Sequence, residues 1–187
     1  IAQAGADTVI TLTGTEDVLA VLQNTQADTV NAANFGESQT PTDPDADLLD
    51  LLDQTGPVQV DILDPQSEAL FSNTVGFYQI EDASGTVIDP VTGALLQPGE
   101  AGYSEAAVAR SQVDGDGLSF AIRDAEAMTA SLEGGALYAP LIVSNGTIED
   151  ALSGSTHVFF EFAAANPQGI DHVQKSGNTY FFEDLFG

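Results

Sequence analysis

The chain has no cysteine and no tryptophan, one methionine, two histidines and only three cationic side chains, Arg110, Arg123 and Lys175. Each scarcity excludes something. Without cysteine there is no disulfide scaffold, no thiolate metal site and no cysteine nucleophile. His157 and His172 are the only histidines and do not stand at ligand spacing, so zinc lacks its usual donors. Three cations against 29 Asp and Glu leave a formal net charge of -26. A surface so negative repels phosphate backbones and anionic headgroups, which excludes nucleic acid and the membrane surface as partners. No run reaches the roughly 18 apolar residues that a membrane-spanning helix needs. No GxxxxGK[ST] loop is present to cradle a phosphate. "SGS" (153–155) and "GYS" (102–104) lack the strand, turn and helix context of a hydrolase nucleophile. Carboxylates are so abundant that spacing alone cannot nominate the pair a glycosidase needs. The expectation is a protein that is not an enzyme.

What is present points to a folded β protein. A hydrophobic content of 43% is ordinary for a globular domain, so the acidity does not imply disorder. At 187 residues the chain is long enough to bury a proper core. Short β-branched and aromatic runs bounded by Gly, Asn, Asp and Pro read as strands at 7–13, 17–23, 58–63, 75–80, 117–122, 136–143, 157–163 and 179–184. "VGFYQIEDASGTVIDP" (75–90) reads as a hairpin turning at Gly85. Eight such runs predict an all-β fold, an antiparallel β-sandwich of jelly-roll type. Two short helices are expected: 102–112, with Ser104 as N-cap, and "DADLLDLLDQTG" (45–56), stopped by Gly56. "NFGESQTPTDPDAD" (34–47) reads as a linker, which divides the chain into an extension at 1–56 and a sandwich domain at 57–187. The opening "IAQAGADTV" fits a mature protein after signal removal or an excerpt of a longer one.

The charge has a second consequence. Self-repulsion opposes the compact state, and salt or bound divalent cations relieve it. Calcium takes six to eight oxygens from carboxylates and carbonyls, and Asp-x-Asp spacing in turns offers them. The candidate ligands are Asp114 and Asp116 in "VDGDGL", Asp43, Asp45 and Asp47 in "DPDAD", Asp82 and Asp89 beside Glu81 in the hairpin, and Glu183 and Asp184 near the C-terminal end. None completes an EF-hand loop. Asp171 and His172 are expected to make structural hydrogen bonds to the final strand, in preference to acting as a base or ligand. The aromatics from Phe77 to Phe182 alternate along strands and are expected to be core, with one or two free to form a sugar platform. "NGT" (145–147) is a formal glycosylation acceptor.

Three blocks, "VGFYQIEDASGTVIDPVTGALLQPGEAGYSEAAVA" (75–109), "LEGGALYAPLIVSNGT" (132–147) and "VFFEFAAANPQGIDHVQKSGNTYFFEDL" (158–185), resemble in order a secreted bacterial family, domain of unknown function 4114, over residues 57 to 187. The resemblance implies a β-rich module of a large exported protein, found beside calcium-binding repeats and adhesin-type domains, without assigned enzymatic activity. The sequence departs from the family's pattern after "FEDL", where an acidic glycine-rich run and a last strand normally follow. A sandwich short of a strand has an open edge. "GADTVITLTG" (5–14) then reads as a free-standing strand, with Thr8, Val9, Ile10, Thr11 and Leu12 available to complete a neighbouring copy by β-strand addition. The function expected is an extracellular or cell-surface structural or adhesive module, a filament subunit joined by strand donation. Its partners are copies of itself, other surface proteins or glycans, and calcium is its cation. The alternative is a calcium-dependent carbohydrate-binding module.

Overall fold

The computed structural model describes residues 2–11, 18–22, 46–63, 65–67, 70–112, 117–123 and 125–184. The chain forms two compact units, Ile1–Pro41 and Thr42–Gly187. The smaller holds a three-stranded antiparallel sheet of β1 (Ala2–Ala4), β2 (Asp7–Thr11) and β3 (Val18–Leu22). Gly5 opens the two-residue turn between β1 and β2 with a φ of 67°, which suits glycine. The strand read as free-standing is therefore the middle strand of its own sheet. Thr8 pairs with Gln3 on one side and Leu22 on the other, Val9 with Ala2 and Val21. Ile10 and Thr11 also pair with β3, and Leu12 lies outside the described residues.

The larger unit is built on an antiparallel sheet in the order β12 (His157–Phe160), β11 (Leu137–Ser144), β6 (Thr74–Ile80), β9 (Gly117–Ala121), with β4 (Leu49–Asp50) against the start of β11. Successive side chains on a strand point to opposite faces, and here both faces are covered. Tyr78 and Ile80 of β6, Leu137, Ala139, Leu141 and Val143 of β11, and Phe160 of β12 pack on one side against α1 (Tyr103–Arg110), Val87 and Phe162. On the other side Phe77 and Tyr138 meet Leu118, Leu132, Val58, Val60 and Tyr180, while Val75, Ile142 and Phe159 meet Phe182. The second cover consists of the ribbon of β5 (Pro57–Ile62) with β10 (Met128–Glu133) and the hairpin of β13 (Val173–Ser176) with β14 (Thr179–Phe182). Double burial explains why "VGFYQI" and "LYAPLIV" are near-continuous apolar runs with little alternation. The fold is all-β, antiparallel and sandwich-like, as the sequence predicts, with two short helices among the described residues, one of them where the sequence places a helix.

The edges of the sheet are short and partly closed. In the register of β12 with β11, Phe160 turns its backbone N–H and C=O outward. The Asn166 side chain takes both: its Oδ1 accepts from Phe160 N at 2.7 Å and its Nδ2 donates to Phe160 O at 2.7 Å. This amide occupies the place of a neighbouring strand. Pro140 sits in the interior of β11, a position that normally costs a ladder hydrogen bond. Its carbonyl still accepts from Glu161 N. Its missing donor faces the side where β12 ends at Phe160 and β4 begins beside Tyr138, so the lost bond falls in the gap between two strands.

Several expectations change. Residues 45–56 do not form a helix in their described part: Leu49 and Asp50 pair with β11, and Leu51 is buried. Leu48 packs toward one face and Leu49 and Leu51 toward the other, so a vacant stretch of β11's edge outweighs the helix propensity of a short segment. The segment belongs with the larger unit, which moves the boundary from 57 to 42. The 75–90 hairpin closes its turn through Glu81 N to Thr86 O at 2.8 Å, but its second arm then leaves. Both edges of β6 are filled by β11 and β9, so β7 (Val87–Ile88) pairs instead with β8 (Leu95–Leu96). Helix α1 starts from Gly102, whose φ is 90°, and Ser104 lies inside it. The sequence reading omits α2 (Ile148–Leu152), although Thr147 and Asp150 form a capping box there.

Phe77 is buried and meets the Tyr180 ring edge-on at 5.0 Å. Truncating Phe77→Ala is expected to cost about 3–5 kcal/mol in denaturant unfolding. A loss below about 1 kcal/mol contradicts its placement between sheet and hairpin.

Candidate functional site

The nominated acidic residues divide into those that build turns and those that line a cavity. Asp82 is a turn builder. Its Oδ1 accepts from Ser84 N at 2.9 Å and from the Ser84 hydroxyl, and its Oδ2 accepts from Thr86 Oγ1 at 2.6 Å. Burial acts to raise the Asp82 pKa, but the donors of Ser84 and Thr86 outweigh it and hold the carboxyl below its ordinary 3.8. Gly85 completes the turn with a φ of 85°, and a Cβ there would lie 2.4 Å from the Phe162 ring. Beneath it, Tyr103 Oη donates to Gly85 O at 2.9 Å and is 3.0 Å from Tyr78 Oη. Burial pushes the pKa of both phenols up, so both remain neutral donors. Asp89 caps the next turn, accepting from Val91 N at 2.8 Å and from the Thr92 hydroxyl. The Thr92 and Val91 donors lower its pKa.

Asp47 enters the larger unit beside Glu161, a carboxylate only 1% exposed, whose Oε1 accepts from Asp47 N at 2.7 Å. Next to it Lys175 Nζ donates to Leu48 O at 2.6 Å and lies 5.1 Å from the centroid of the Tyr180 ring. Burial, then the charges of Asp47 and Glu161, push the Tyr180 phenol's pKa up. These contacts fasten the entering segment to the sheet.

His172 is buried, stacked on Phe159 at 4.0 Å with an interplanar angle of 19°. Its Nδ1 is 3.1 Å from Glu183 O, and Glu183 N donates to His172 O at 2.9 Å. A backbone carbonyl only accepts, so Nδ1 carries the proton. The structural link expected between the 171–172 turn and the end of the last hairpin is made by His172, whereas Asp171 accepts from Val173 N within its own turn. Asp184 fixes the end of this segment: its Oδ2 accepts from Asn73 Nδ2 at 2.6 Å and its backbone O accepts from Ser144 Oγ at 3.0 Å.

Among the described residues no three of His, Asp and Glu converge as a metal site. The carboxylates of Asp82, Asp89 and Asp184 accept in separate hydrogen-bond networks, while Asp47 and Glu183 are held through their backbone groups. Asp43, Asp45, Asp114 and Asp116 lie outside the described residues.

Asp184 also lines an open cavity of about 530 Å³, together with Phe71, Asn145, Ser155, His157 and Phe159. A second, about 460 Å³, shares Gly154, Thr156 and His157 with it and reaches Ser104 and Glu105 at the start of α1. Asn145 stands on the rim with a φ of 50°, the one non-glycine in the left-handed region among the described residues. Its Oδ1 accepts from Ser72 N at 3.4 Å, and its N donates to Asn73 Oδ1 at 2.9 Å. Sequence reasoning missed Phe71 and Asn145 as site residues. The only available signal was Asn145–Gly146, a turn dipeptide that says nothing about a ligand.

The depressed Asp82 carboxyl gives a testable sign. A group whose folded-state pKa is lowered contributes stability above its unfolded value and loses it as pH falls through the folded value. Stability is expected to be level well above 3.8 and to fall below it. Asp82→Asn is expected to lower the neutral-pH melting midpoint and to flatten that acid slope. An unchanged midpoint and slope contradict the turn-building role. Comparisons of the chain with models of known families, with curated proteins and with solved structures find no match.

Proposed function

We propose that this chain is a non-enzymatic structural or adhesive β-sandwich module that works outside the cell and is stabilised by calcium. The observation that supports it best is how the polar side chains are engaged. Asp82, Asp89, Asn166, His172, Tyr78 and Tyr103, the groups most suited to chemistry, hold turns, an edge strand and the last hairpin. The composition agrees, because a cysteine-free chain of net charge -26 is best matched to a medium rich in salt and divalent ions. Calcium is supported by the charge and by the Asp-rich turns.

Assembly by β2 takes a different form from the one the sequence suggests. A strand already paired with β1 and β3 must leave two neighbours before it can join another copy. Donation is then an exchange between copies, as in domain swapping.

Any ion that binds only the native state stabilises it, by about 2.7 kcal/mol at a hundred times its dissociation constant. The melting midpoint of the full chain is expected to be higher in millimolar calcium than in chelator at matched ionic strength. Light scattering is expected to show association that grows with protein concentration. An unchanged midpoint together with a monomer at every concentration contradicts the reading.

A further inference from the structure

We infer that the cavity between the end of β11, the turn after α2 and the end of the last hairpin binds a neutral oligosaccharide. The inference rests on the adhesive reading above and supplies its ligand. The cavity is about 530 Å³, within the ~300–1,000 Å³ usual for small-molecule sites. It is open and lined by both polar and apolar surface, unlike the enclosed apolar pocket that a lipid or steroid needs.

Its chemistry narrows the class. The overall charge and Asp184 disfavour an anion. One carboxylate is too few for calcium, which takes six to eight oxygen ligands with several from acids. Asp184 uses one carboxylate oxygen on Asn73, and among the described residues the other has no hydrogen-bond partner. Asn145 uses its carbonyl on Ser72, and among the described residues its Nδ2 has none. Both residues line the cavity, and an acceptor and an amide donor fit a group that both gives and takes a hydrogen bond, as a sugar hydroxyl does. Phe71, 38% exposed, supplies an apolar surface for the C–H face of a sugar ring. Its neighbour Phe159 is fully buried under His172 and serves as floor. A second cavity on the other face of β12 meets the first at the rim residues Gly154, Thr156 and His157 and reaches Ser104, Glu105 and Ser153, so a chain longer than one ring finds polar residues past that rim. The class is therefore an oligosaccharide. Because the proposed contacts involve no metal, recognition does not require calcium.

Asn145 allows a clean test. It occupies a left-handed φ that glycine adopts more readily, so Asn145→Gly removes the amide while suiting the backbone. Phe71→Ala removes the exposed ring. Affinity electrophoresis of the full chain in native gels containing a soluble neutral galactan, mannan or β-glucan is the assay, run in chelator and with melting midpoints measured in parallel. Retardation by at least one polysaccharide is expected, and each variant should weaken it about tenfold, the equivalent of one hydrogen bond, with its melting midpoint preserved. No retardation of the wild type by any of the three overturns the site. Retardation kept in both variants, or abolished by chelator, also overturns it. A self-associating, calcium-stabilised protein that ignores every polysaccharide leaves the structural reading standing and removes this site alone.

Discussion

The fold depends on one constraint: β6 and β11 are buried on both faces and paired on both edges. A strand so placed has no water to satisfy its backbone, so every N–H and C=O needs a partner within the sheet. The neighbours follow from that. β9 and β12 close the sheet, β4 fills the stretch of β11 that β12 leaves open, and Pro140 stands where the ladder is interrupted. The two covers follow as well. Tyr78 and Ile80 require α1 and Phe162 above them, while Phe77 and Val75 require the β5–β10 ribbon and the last hairpin below.

The polar interior serves the same sheet. Tyr78 cannot be buried with an idle hydroxyl, and Tyr103 and Gly85 relay its hydrogen bond to the turn that Asp82 organises. Asn166 closes the outer backbone groups of Phe160, limiting pairing at an edge that would otherwise recruit another chain. His172 and Glu183 hold the last hairpin against Phe159. Among the described residues Asp82 and Asp89 hold turns, Glu161 is buried beside Asp47, and the few cations have particular places. Arg110 reaches Glu81 at 3.5 Å and Ile88 O at 3.3 Å, and Lys175 clamps the entering segment.

Much of the fold was legible from local signals. Strand runs such as 75–80 and 136–143 are dense in β-branched and aromatic residues, and the structure has Thr74–Ile80 and Leu137–Ser144 there. What was not legible depends on long-range competition. The leucines at 48, 49, 51 and 52 read as a helix because nothing local reveals an empty edge 89 positions away, where Leu49 pairs with Tyr138. The 75–90 hairpin misreads for the same reason, since β6's true neighbours lie far along the chain. "MTASLE" escaped although Met128, Ala130 and Leu132 alternate with polar residues, because Met, Ala, Leu and Glu are not strand formers and the segment becomes a strand only against β5. The cavity was invisible because Phe71, Asn145, His157 and Asp184 share no spacing and meet only once the sheet and hairpin are in place.

Amide hydrogen exchange on the full chain reads the β6–β11 pairing residue by residue. The slowest exchange is expected there, at the amides of Tyr78, Ala139 and Leu141, with faster exchange in the β7–β8 and β13–β14 hairpins. Uniform protection across all these strands, or slower exchange in either hairpin than in β11, would contradict it.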